Sequence, residues 1–73
     1  MEEKVQQELA TLEGYEKICI EALSVFQLSH PTKLTSDEKT KIIAQLERMF
    51  YTEREFLEES PDDYFDVYEE END

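Results

Sequence analysis

The chain has 73 residues, twenty Asp plus Glu against seven Lys plus Arg, and a formal charge of −13. A chain this short forms one domain and buries only about 60% of the surface its unfolded form exposes, which leaves little room for a catalytic cleft backed by a full core. The acidic balance also excludes direct binding to DNA, RNA or an anionic membrane, since phosphate neutralisation needs clustered Lys and Arg, and it points to a basic partner.

Cys19 is the only cysteine, so no intramolecular disulfide can form, and a lone thiol in an apolar stretch reads as core filling in a reducing compartment. The first eight residues are too polar for a secretion signal, and no apolar run approaches the roughly 18 residues that span a bilayer. A cytoplasmic location is expected. Leu, Ile, Val and Phe make up 18 of the 73 residues, about a quarter, above the level at which acidic chains stay disordered.

Residues 3–28 read as one helix. Val5, Leu9, Leu12, Cys19, Leu23 and Phe26 recur at spacings of three and four, provided Glu16 takes one position in that seam. Tyr15, Ile18 and Ala22 widen the apolar face over 15–26, so the second half of this helix is expected to pack inside while the first half lies more exposed. Gly14, the only glycine, sits between the halves and marks a kink, a close helix contact or the start of the buried segment, with a continuous helix preferred.

Gln27 to Ser36 is expected to be a loop, because Pro31 disfavours helix at His30 and the Ser and Thr hydroxyls compete for backbone hydrogen bonds. Thr35 followed three residues later by Glu38 forms a capping box, with Asp37 and Glu38 in the first turn, where the helix dipole favours negative charge. The second helix then carries Ile42, Ile43, Leu46, Met49, Phe50, Phe56 and Leu57 on its apolar face, with Arg48, Arg54 and Glu55 among the residues assigned elsewhere on its surface. Ser60-Pro61 interrupts it and signals a short third helix, with a hydroxyl cap, Pro in the first position and an acid in the third. The predicted fold is all-α: a small antiparallel helical hairpin (1–59), or a three-helix bundle completed by a short acidic C-terminal helix or tail (60–73). A core of this size commonly needs further cover, so homodimerisation, or folding against a partner, is one expected outcome.

The charge is concentrated at the C-terminus. Residues 1–57 carry a net −4, whereas residues 58–73 hold nine acids and no base. In helical projection Asp62, Asp63, Asp66, Glu69, Glu70 and Asp73 fall on one side, and Pro61, Tyr64 and Tyr68 point the other way with Phe65 beside them; only Glu71 breaks the segregation. The rings have two readings: they dock on the hairpin and complete its core, or they anchor a partner. The candidate partner-binding residues are therefore Glu58, Glu59, Asp62, Asp63, Tyr64, Phe65, Asp66, Tyr68, Glu69 and Glu70.

No catalytic, cofactor or metal site is expected. His30 and Cys19 are too few and too far apart for a zinc site, and the run from Asp62 lacks the Gly and Glu of a calcium loop, holding Val67 and Asp73 at those places. Solvated helical carboxylates also lack the pocket that would separate their pKa values for acid–base work. The leading functional expectation is an inhibitor or regulator of the antitoxin, immunity or phage anti-host kind. It would occupy the nucleic-acid groove of a DNA- or RNA-handling protein with carboxylates about 5–6 Å apart, close to the spacing of backbone phosphates. The alternative is a helical homodimeric adaptor acting through its apolar faces, with the acid tail serving solubility. A third reading docks residues 42–57 in a partner's groove through Met49, Phe50, Phe56 and Leu57.

Overall fold

A computed structural model describes residues 2–69. They form three helices, α1 (Glu2–Ser29), α2 (Ser36–Glu59) and α3 (Pro61–Glu69), and no strand is present among the described residues. At 1.5 Å per residue a 28-residue helix is about 42 Å long, and α1 sets the long dimension of a molecule measuring 45 × 23 × 18 Å.

Helix α1 runs through Gly14 without interruption, and that residue keeps an ordinary negative φ. A Cβ added at Gly14 would meet nothing within 4 Å, so the glycine marks neither a kink nor a close helix contact. Gly14→Ala is expected to stabilise the fold by about 0.5–1 kcal/mol, by restricting the unfolded chain and improving helix propensity. Urea unfolding followed by circular dichroism tests this; a destabilised variant would mean that the glycine has a contact role.

The connection is shorter than the expected 27–36. Residues 27–29 remain helical, because Pro31 constrains only the residue before it, and the His30 N–H still donates to the Phe26 carbonyl at 2.8 Å. The His30 carbonyl then accepts from both Lys33 and Leu34 at 3.0 Å, which turns the chain and buries Leu34 under the hairpin end. The capping box forms as the sequence predicts. Thr35 Oγ1 accepts the Glu38 N–H at 3.2 Å, and Glu38 Oε1 accepts the Thr35 N–H at 3.0 Å. The Thr35 backbone and hydroxyl hold the Glu38 carboxyl below the usual glutamate range, so this contribution to α2 is present above that range and fades as pH falls through the lowered value.

The seam between α1 and α2 follows the three-and-four spacing, including its polar position. Glu16 accepts from Arg54 Nη1 at 2.9 Å, and both side chains are mostly covered. Arg54 therefore faces α1 and does not lie on the outer surface to which its charge assigned it. Its guanidinium supplies the charged hydrogen-bond partner that a carboxylate covered between two helices needs.

Burial along α1 departs from the expected distribution. The core consists of Leu12, Leu57, Tyr64 and Phe65, with Val5, Leu9, Phe50 and Phe56 packed around it, so the deepest burial on α1 falls in its first half, while Cys19, Ile20 and Leu23 in the second half are only partly covered. In the second half Tyr15, Ile18 and Val25 are more than half exposed. The cause is the third helix. Nine residues span only about 13 Å, so α3 covers the end of the hairpin where α1 begins and α2 ends, and stops there.

Candidate protein-binding surface

Ser60 closes α2 by donating its N–H to the Phe56 carbonyl, and its own carbonyl accepts the Tyr64 N–H, both at 2.9 Å. One residue thus ends α2 and opens α3, with Pro61 in the first helical position, where a missing N–H costs nothing. The chain folds back and lays α3 into the groove between α1 and α2.

Aromatic side chains hold it there. Tyr64 and Phe65 are 3% and 8% exposed, and the Tyr64 ring meets Phe56 edge-on at 5.6 Å and Phe65 at 5.4 Å. Such pairs contribute roughly 0.5–1.5 kcal/mol beyond area burial. The Tyr64 hydroxyl donates to Glu8 Oε2 at 2.8 Å, the Tyr68 hydroxyl donates to Glu53 Oε2 at 2.7 Å, and Lys4 Nζ lies 4.3 Å above the Phe65 ring. Helix α3 is therefore fixed to both long helices.

This placement corrects the partner-anchor reading of the rings. Tyr64 and Phe65 complete the protein's own core, and Leu57, offered above as a groove-docking anchor, is fully buried beneath them. Tyr68 lies at the margin, partly exposed. The carboxylate residues fare differently: Glu58, Glu59, Asp62, Asp63 and Asp66 are all exposed. Glu69 ends α3, and Glu70 lies outside the described residues.

Burial, then the Glu8 carboxylate, pushes the Tyr64 phenol well above its ordinary pKa of 10.0. The unfolded chain therefore loses this proton first. The stabilisation is fully present below pH 10 and is lost as pH rises above it toward the raised folded value. Tyr64→Phe is expected to cost about 1 kcal/mol at neutral pH through the lost hydrogen bond, and to flatten the decline of stability above pH 10. Unfolding curves at pH 8 to 11 test this, and an unchanged alkaline decline in the variant would overturn the assignment.

The hairpin brings acids distant in sequence to one end. Among the described residues, 2–14 and 50–69 carry twelve acids and two bases, while 15–49 carry five of each and are net neutral. Sequence reasoning located the C-terminal share but missed the share of Glu2, Glu3, Glu8 and Glu13, which joins it only through antiparallel folding. Several of these charges sit against the helix dipole. Glu58 and Glu59 occupy the last turn of α2, which has no basic residue, whereas Asp62 and Asp63 sit favourably in the first turn of α3.

No group of three or more His, Cys, Asp or Glu suited to a metal ion occurs among the described residues, and none of their helices is long and apolar enough to cross a membrane. The chain matches no protein-family model, no curated protein and no solved structure.

Proposed function

We propose that this chain is a non-catalytic binding protein whose acidic end occupies a basic surface of a partner protein, most simply a nucleic-acid-binding groove, and so inhibits or regulates that partner in the cytoplasm. One observation carries the reading: the charge excess is gathered at one end of an otherwise neutral rod, and it includes positions that cost stability. An acid in the last turn of a helix is unfavourable by roughly 0.3–1 kcal/mol. Selection for folding alone would place Lys or Arg at positions 58 and 59.

The buried rings contribute by positioning. With Tyr64 and Phe65 packed inward, Asp62, Asp63 and Asp66 are held on a docked helix, and less entropy is lost when they engage a partner than from a loose tail. Neighbouring carboxylates on such a helix stand about 5–6 Å apart and offer a row of anions in place of a phosphate backbone. Affinity capture at low and high salt is the test, with competition by duplex DNA for the captured protein. Capture that survives high salt and ignores DNA would contradict the proposal.

A further inference from the structure

The groove that α3 fills does not end where α3 ends. On α1, Lys4 and Glu8 contact α3, and the same line continues one and two heptads past Glu8 as Tyr15 and Ala22, and then reaches Phe26. On α2, Phe56 and Glu53 contact α3, and their line continues back through Met49, Leu46 and Ile42. The continuation carries apolar side chains on both walls, and Tyr15 and Met49 are 58% and 63% exposed.

We infer that this open half of the groove is the seat of a second copy of the chain, and that two hairpins pair through it about a twofold axis into a central four-helix bundle with an α3 at each far end. Three observations identify a second copy as the occupant. The molecule exposes 5717 Å², against roughly 4,700 Å² for a compact monomer of its mass, and the excess of about 1,000 Å² is the size of one partner's share of a standard interface, about 800 Å². Its radius of gyration is 15.2 Å, against about 11 Å for a compact domain of this length. Finally, the half of the hairpin that carries the open groove, residues 15–49, is the charge-balanced half, so two copies meet there without net repulsion. The two acidic ends project to opposite extremes. A basic partner would be drawn to those ends and away from the neutral groove.

Sedimentation equilibrium of the full chain tests this, over about 10–500 μM and at both low salt and about 0.5 M NaCl. The expected mass is twice 8.7 kDa at both salt levels. Ala22→Lys combined with Met49→Lys alters two exposed groove positions and is expected to give monomers with unchanged helical circular dichroism. Leu28→Lys lies on α1 about 160° around from Phe26, outside the groove, and is expected to stay dimeric. A wild-type monomer throughout the range overturns the inference. So does a dimer that survives the double substitution, or one that dissociates at high salt. Should the double variant unfold, a mixed-isotope sample of the wild type decides: nuclear Overhauser contacts between copies at the Met49 methyl support the inference, and a dimer without them overturns it.

Discussion

Leu57→Ala is expected to cost about 3–4 kcal/mol and to loosen α3 from the hairpin. Leu57 is the one fully buried large side chain among the described residues, and it sits where all three helices meet, with Leu12 on one side and Tyr64 and Phe65 on the other. Truncating a leucine at such a site removes the transfer free energy of its methyl groups and leaves a cavity, within a range of about 2–5 kcal/mol. The whole fold is expected to hold only roughly 4–11 kcal/mol. One substitution therefore removes a large share of the stability, where the same change at exposed Leu28 would remove almost none. Urea unfolding at 222 nm, with hydrogen exchange of the α3 amides, measures both effects. A loss under about 1 kcal/mol would mean that α3 is not docked in solution as described.

The second large effect concerns binding. Replacing Glu58 and Glu59 by Gln and Asp62, Asp63 and Asp66 by Asn removes five exposed charges and leaves every buried ring in place. The association rate with the basic partner is expected to fall at least tenfold at low salt, within the range of about 10–10³ that electrostatic steering supplies. The wild type should lose the same advantage as salt rises, so that the two proteins converge near 0.5 M. Stopped-flow association of the captured partner at several salt concentrations reads this directly, and equal rates at low salt would refute the role of the acidic end. Stability should change little, because the relief from neutralising Glu58 and Glu59 in the last turn of α2 is offset by the loss of Asp62 and Asp63 from the first turn of α3. Binding lost while the fold keeps its stability separates a functional surface from a structural one. Neutralisation is also cleaner than deleting residues 60–73, since removing α3 would strip the cover from Leu57 and confound binding with folding.

Much of the architecture was legible because it is local. The three-and-four spacing from Val5 to Leu23 predicts a helix and places Glu16 in its seam, although the pattern puts its partner Arg54 on the outer surface of the second helix. Thr35 with Glu38, and Ser60 with Pro61, mark helix boundaries through bonds that close within a turn of the chain. The candidate site was legible in part. The outward carboxylates of α3 follow from helical projection, whereas the inward fate of Tyr64 depends on Glu8, which lies 56 residues away.

The sequence by itself determined two long helices, the start signals at Thr35 and Ser60, the polar position in the seam and the side of a third helix on which its acids would fall, because each rests on interactions between residues a few positions apart. Only the tertiary structure decided where along α1 the deepest burial falls, that Arg54 turns inward, that the rings of α3 belong to the core, and that the charge excess gathers at one end. The breadth of an apolar stripe shows how much surface a helix could bury. Which part of it is buried depends on where a nine-residue helix can reach after the chain turns back at Ser60.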